Sequence, residues 1–437
     1  MTLMLFRQGI GAPPAPVVKE GDTVKRGQVI AEAIPDALSV SLHAPVSGKV
    51  VELTEELIRI EPSEESSDDY VKMEAGESVA DTVRKAGLIG LGGAGFPTYV
   101  KLNTQLKEGG YILCNAAECE PVLSHNIRQM EEETEKLISG MRLAMESTGA
   151  EKGIIGIKFK HRETIKQLTG YLREQNETSI RVLPLRNVYP VGEERALIRD
   201  TLNILLPAGA LPVEANAVVF NVETLCAIHD AVEEHKPFID KWITVAGKLK
   251  DIPHGEVRVL KVPLGTQLKT FIDQFGGIDE PYGEILVGGP YTGRRSSEDA
   301  YLQKVNGSVI VTAPFDKEEK KLGIIQCACG PLEDRLREIA KSLGCDEPVG
   351  LQVCKNAMEQ KVGYKCQDPG NCPGQAEKVL ALKKLGAEAV LIGHCTDCTN
   401  TVMGSAPQLG MEVHHCTDNL QQTMGRPLIR TFDESVL

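Results

Sequence analysis

Between Ala80 and His235 the chain alternates two kinds of segment, and few folds accept that alternation. Apolar runs too short for helices, GIIGIK at 153–158, IRVLPL from Ile180 and AVVFN at 217–221, are separated by stretches of helical period at 130–148, 161–175, 193–204 and 223–234. Strands that alternate with helices bury their apolar faces most simply as an α/β sheet with helices on both sides. The same logic applies near the C-terminus, where helical segments flank AEAVLIG and MEVHHC. Between these regions, residues 241–315 read as a small α+β module with one helix near 267–275.

The N-terminal region has a different rhythm. Residues 15–60 are short strands with bends at Gly21, Gly27 and Gly48, which predict a small β-barrel or sandwich. The pattern resembles biotinyl and lipoyl domains, but the hairpin EAIPDALSVS carries no Lys to modify, which argues against a covalent carrier. From Glu61 the string EPSEESSDDY is acidic and almost free of apolar residues, as a solvated linker is. Four domains are therefore expected: 1–65, 66–237, 238–325 and 326–437.

Composition narrows the function classes. A net charge of −13 opposes binding to nucleic acid or to an anionic membrane surface. No apolar run reaches the roughly 18 to 20 residues of a transmembrane helix, and the first ten residues are too short and too polar for a signal peptide, so the expected location is the cytoplasm or the periphery of a membrane. Twelve cysteines without an export signal point to redox, metal or buried thiols rather than a disulfide framework. Nine of the twelve follow residue 326, which places thiol chemistry in the C-terminal region.

The most specific string is GLIGLGGAGFPTYVKL, in which Gly90, Gly92, Gly93 and Gly95 precede Phe96, Pro97 and Thr98. Glycines at this density let the backbone approach a ligand and present N–H groups to it, and Pro97 suits the first turn of a helix whose N-terminus attracts an anion. Gly90, Gly92 and Gly95 fit GxGxxG. No clear strand precedes them, however, and no acidic residue follows a strand about 20 residues later, which excludes a standard Rossmann site. On spacing alone, a phosphate cradle and a plain turn remain equal readings.

The exact string resembles the flavin-bearing, NADH-oxidising subunit of respiratory complex I and the related RnfC-like electron-transport proteins. YILCNAAECEP from Tyr111, YPVGEE from Tyr189 and FNVETL from Phe220 extend the resemblance at matching intervals. It implies an FMN site with contacts from Gly90, Gly92, Gly93, Gly95, Lys101, Asn115, Glu118, Asn221 and Thr224, and places Glu193 and Glu194 near the nicotinamide of NADH; for these last two, a solvated helix start is the competing reading. Ala117 and Cys119 stand where the complex I protein has Asp and Ser, and Leu91 where it has Arg. The N-terminal barrel-sandwich and the module containing GGPYTG also resemble RnfC, the latter its β-grasp (SLBB-like) domain, so the likeness spans residues 5–325. It ends where the family places two CxxCxxCxxxCP runs for [4Fe–4S] clusters. This chain has CACG, with Cys327 and Cys329, a CxC pair that could cycle through a disulfide. Cys345, Cys354, Cys366 and Cys372 match no cluster spacing, although an iron–sulfur cluster built on them stays an alternative.

In AEAVLIGHCTDCTNTVM, Cys395 and Cys398 follow an apolar strand and open a helix, where the dipole and free N–H groups favour the Cys395 thiolate. Cys416 ends the next strand, and parallel strands present their carboxyl ends at one edge, so it belongs with the other two. Three readings stay open: a redox dithiol with His394 as proton partner, a zinc site of Cys395, Cys398, Cys416 and one of His394, His414 or His415, and buried structural thiols. The redox reading assigns Cys395, Cys398 and Cys416 as catalytic and names no metal. An RnfC-like body without ferredoxin motifs and with a thiol-rich end resembles the PrdC group, proline reductase-associated electron-transfer proteins. That resemblance implies D-proline reductase as partner, with an Rnf complex or another donor upstream; a non-redox adaptor with a structural metal is the alternative.

Overall fold

The computed structural model describes residues 1–64, 68–360 and 363–430. The chain forms antiparallel sheets at its N-terminus, followed by parallel and mixed ones. At the N-terminus, Thr2–Leu5, Leu57–Pro62, Gly48–Leu53 and Thr23–Val24 make one sheet, and Ala15–Pro16, Val29–Glu32 and Leu42–His43 a second. Met4, Val24, Ile30, Leu42, Ile58 and Ile60 are buried in one core, so the region is a sandwich rather than a closed barrel. Part of the expected linker, residues 65–67, lies outside the described residues.

The next unit is a four-stranded parallel sheet in the order Ile180–Leu185, Lys152–Lys158, Tyr111–Ala116, Ala217–Asn221. The apolar runs expected as strands are its strands; Lys152–Lys158 and Ala217–Asn221 are buried on both faces, while Ile180–Leu185 at the edge is half-exposed. One expected helix is two, His125–Glu132 and Thr134–Thr148. Glu133 breaks it with φ −121° and ψ 34°, its carboxylate drawn to Lys261 and Gln129. Asn203, with φ +59°, ends Glu194–Leu202 shortly before the expected position.

Residues 240–311 form a five-stranded mixed sheet covered by one helix, Leu268–Gln274, whose Leu268, Phe271 and Ile272 pack on Ile243, Val245 and Val309. The C-terminal unit is a parallel sheet in the order Gly350–Val353, Leu322–Gln326, Ala389–Ile392, Glu412–His415. Its central strand therefore lies ahead of the expected start at 326. LGIIQ is an apolar run too short to announce itself, yet it pairs on both sides, with Gly350–Val353 and with Ala389–Ile392.

Polar clamps join the units. Glu120 accepts hydrogen bonds from the Tyr291 and Thr292 amides at 3.0 and 2.8 Å, fastening the GGPYTG turn to the flavin-type sheet. Glu284 of the mixed sheet receives Arg295 at 2.8 Å and Arg335, on helix Glu333–Ser342, at 2.9 Å, with Glu284 and Arg335 both buried. Removing one partner of a buried ion pair strands the other charge. Glu284→Ala is thus expected to cost about 3–5 kcal/mol in urea unfolding, and replacing Glu284 and Arg335 together by Leu and Met to recover most of that loss.

Candidate functional site

The two parallel sheets each reverse their strand order once, and a reversal leaves a crevice outside the carboxyl ends of the two strands that flank it. In the first sheet the flanking strands are Tyr111–Ala116 and Ala217–Asn221, which place Asn115 and Asn221 side by side in register. A cavity of about 510 Å³ opens there, within the roughly 300–1,000 Å³ usual for cofactor sites. Gly90, Gly92, Gly93, Gly95, Lys101, Asn115, Glu194, Asn221 and Thr224 all line it, with Gly192 and Phe220.

Local contacts explain the residue types. The Leu91 amide donates to Thr224 Oγ1 at 3.2 Å and the Gly90 amide to the Phe96 carbonyl at 2.8 Å, which fold the glycine loop back on itself. Gly95 sits at φ +69°. A Cβ on Gly92 would fall 1.3 Å from Asn221 Nδ2, whereas one on Gly93 would meet nothing within 4 Å. Lys101 holds its ammonium on the cavity wall through the Val219 carbonyl at 2.9 Å, with the Glu194 carboxylate at 3.5 Å and the Phe220 ring centroid at 5.8 Å. Asn115 Nδ2 donates to the Gly192 carbonyl at 2.7 Å. Pro97 precedes a helix of five residues, Thr98–Leu102, so the cation and the open loop, rather than a long helix dipole, make the site attractive to an anion.

Two residues expected at the cavity are not among its lining. Glu118 turns away with φ +38° to accept from the Asn126 and Ile127 amides at 3.0 and 3.2 Å, and burial lifts its pKa to about 7. Glu193 caps helix Glu194–Leu202 by accepting from the Arg195 and Ala196 amides, each at 2.9 Å. Both acids satisfy helix starts, a role a short acidic string shares with ligand binding.

In the C-terminal sheet the reversal lies between Leu322–Gln326 and Ala389–Ile392, and cysteines collect at that edge. Cys327, Cys354 and Cys398 are all buried, with sulfurs within 4.8 Å of one another. Cys395 hydrogen-bonds to Cys327 and Cys398, which hold its pKa well below the usual thiol range. Cys372, beside Cys398, is brought down to about 7, first by that contact. Cys416 shares the apolar cluster but stands outside the close sulfur group, and burial pushes its thiol up. Each histidine has another partner through one ring nitrogen: His394 Nε2 lies 3.1 Å from the Ile325 carbonyl, His415 Nδ1 2.8 Å from Thr417 Oγ1, and His414 Nε2 2.6 Å from Glu318, while His394 Nδ1 is buried with no hydrogen-bond partner among the described residues. Sequence reasoning did not place Cys327 and Cys354 with Cys398. A signal existed, because three of the four parallel strands run straight into a cysteine, IIQC, LQVC and VHHC, and the fourth reaches Cys395 past two intervening residues, in IGHC.

One loop joins the two crevices. Gly192 lines the cavity, while Tyr189, three residues earlier, exchanges backbone contacts with Thr396: its amide donates to Thr396 Oγ1 at 2.9 Å and its carbonyl accepts from the Thr396 amide at 3.0 Å. Tyr189 Oη donates to the Cys329 carbonyl at 2.6 Å, and its ring stacks on Tyr291 with centroids 3.7 Å apart. Cys119 Sγ accepts from the Gly192 amide at 2.8 Å.

Residues 1–68 match the RnfC barrel sandwich hybrid domain, and residues 83–230 match the Nuo51 FMN-binding domain. The chain is 35% identical over 312 residues to the C subunit of the Na(+)-translocating ferredoxin:NAD(+) oxidoreductase complex of Acetobacterium woodii, covering 67% of this chain and 68% of that protein. It is 33% identical over 343 residues to the C subunit of the proton-translocating ferredoxin:NAD(+) oxidoreductase complex of Clostridium ljungdahlii, covering 74% and 73%. Cobalamin reductase PduS of Citrobacter freundii is 37% identical over 238 residues, 54% of this chain and 50% of PduS.

The glycine loop gives a stability contrast. Gly92→Ala must displace the Asn221 side chain and is expected to lower stability by about 1–3 kcal/mol, while Gly93→Ala, facing open space, stays within about 0.5 kcal/mol; paired thermal melts read the difference.

Proposed function

The chain belongs to the RnfC family, and from that premise we propose that it is an electron-transfer oxidoreductase subunit with FMN in the cavity at the first strand reversal. The observation that carries this reading is the continuous loop from Gly192 on the cavity wall to Tyr189 against Thr396, between Cys395 and Cys398. Bound FMN would supply a centre able to accept a hydride and release electrons singly. Lys101 would neutralise its phosphate, the uncovered Gly93 face would admit it closely, and the amides of Asn115 and Asn221 would pair with ring heteroatoms. Glu194, on the same wall, would border the nicotinamide of NADH as donor.

The outlet is the C-terminal cysteine group, with Cys395 and Cys398 at its centre and Cys416 one strand away. Cys395 and Cys398 are 2% and 3% exposed, so their sulfurs suit an internal relay better than direct exchange with a partner's disulfide. The acceptor proposed on the PrdC-like C-terminal composition is D-proline reductase, with an Rnf complex as the membrane-side partner. A second reading, an adaptor docked on an Rnf-like complex, draws support from the tight sulfur group, which could also serve architecture.

Anaerobically isolated protein is expected to show a flavin spectrum that bleaches on adding NADH; a colourless chain that neither binds added FMN nor responds to NADH refutes flavin entry. Lys101→Gln should weaken FMN binding about 10- to 100-fold, the worth of a charge-assisted hydrogen bond. Cys398→Ser should leave the bleaching intact and abolish electron delivery to D-proline reductase, and delivery that survives would leave the adaptor reading in place.

A further inference from the structure

We propose that Cys327, Cys354, Cys395 and Cys398 together bind one thiophilic divalent ion, zinc or ferrous iron, as a tetrathiolate site at the carboxyl edge of the C-terminal sheet. Three of these sulfurs are mutually within 4.8 Å and all three residues are buried. Cys395 completes the set because it contacts two of them, Cys327 and Cys398, whereas Cys372 contacts Cys398. The ligands come from three strand ends and one helix turn: Cys327 after Leu322–Gln326, Cys354 after Gly350–Val353, Cys395 after Ala389–Ile392, and Cys398 in the first turn of Thr396–Met403.

Size selects the occupant. A tetrahedral ion with metal–sulfur bonds of about 2.3 Å holds its sulfurs about 3.8 Å apart. The spacing of Cys327, Cys354 and Cys398 needs only a small contraction to reach that, and Cys395, which meets Cys327 and Cys398, has to close on Cys354. A four-iron cubane bonds each cysteine to a different iron and spreads the sulfurs further, so the group is too tight for one. Oxygen-seeking ions are excluded by the all-sulfur donor set.

The surroundings are those of ligands rather than spare thiols. Gln375 is fully buried, and its Nε2 lies 3.0 Å from Cys354, 3.4 Å from Cys372 and 3.6 Å from Cys398. Backbone amides of Asn356 and Cys398 point at Cys354 and Cys395. Donors converging on sulfur from outside spread the residual negative charge of bound thiolates. Ion binding would also tie together segments far apart in sequence, coupling it to the folding of this region. None of this requires FMN or NADH, so the site stands or falls separately from flavin entry; it does occupy the proposed outlet thiols Cys395 and Cys398, so iron would make that outlet a one-electron centre and zinc would replace it with the adaptor reading.

The test uses the full chain produced and purified without oxygen. Elemental analysis should find about one zinc or iron per chain, and the element found decides between them; a rubredoxin-like spectrum on oxidation marks iron. After chelation, titration with Co²⁺ should give the strong visible bands and sulfur-to-cobalt charge transfer of a tetrahedral thiolate site, saturating at one equivalent. Cys327→Ser and Cys354→Ser should lose at least tenfold in Co²⁺ affinity, whereas Cys345→Ser should retain it. Because a ligand variant could misfold, the wild-type titration stands alone: no charge transfer, or two cobalt ions per chain, overturns the site. Four irons with inorganic sulfide would overturn it in favour of a cluster.

Discussion

Every functional feature of this chain depends on where parallel strands change direction of succession. The pairing of Asn221 with Asn115, and of Leu322–Gln326 with Ala389–Ile392, brings strands together whose following loops must leave in opposite directions. The space between departing loops is unavoidable, and backbone amides and side chains at the carboxyl ends face into it. The chain meets this constraint twice, filling one crevice with glycines, amides and a lysine and the other with sulfur. One topological rule thus serves two unlike chemistries.

The crevices are useful together because the contacts between them are short and polar. Helix Glu194–Leu202 begins on the cavity wall and reaches across to the C-terminal region, with Arg195 Nη2 donating to the Cys366 carbonyl at 2.5 Å and Arg199 Nη1 to the Pro369 carbonyl at 2.6 Å. Charged donors on buried carbonyls are costly to break, since the carbonyl would be left without a partner. The excursion at 364–372 is therefore held from helix Glu194–Leu202 as well as from its own unit.

Much of this was legible in the sequence. GIIGIK and AVVFN named their strands because fully buried parallel strands carry no polar alternation to confuse the reading, and the glycine string named its loop because Gly92 has no room for a side chain beside Asn221. A carboxylate capping a helix and one facing a ligand look alike in one dimension, so the sequence leaves Glu193 open between the two and offers no sign that Glu118 caps a helix instead. The helix break at Glu133 escaped because it depends on Lys261, far along the chain. The sulfur group escaped for the same reason at larger scale: Cys327 and Cys398 are neighbours only once strand order is known, and their spacing fits no local motif.

The stacked rings of Tyr189 and Tyr291, 7° from parallel, join units that lie far apart in sequence. Tyr189 belongs to the flavin-type unit, Tyr291 to the mixed sheet, and His415 of the C-terminal sheet meets Tyr291 edge-on with centroids 5.5 Å apart. Three units thus meet in one aromatic joint, and rotation of any of them would have to pull the rings apart. Carriers that ferry a group on a swinging arm have a free linker at the corresponding place, where this chain has packed aromatic rings.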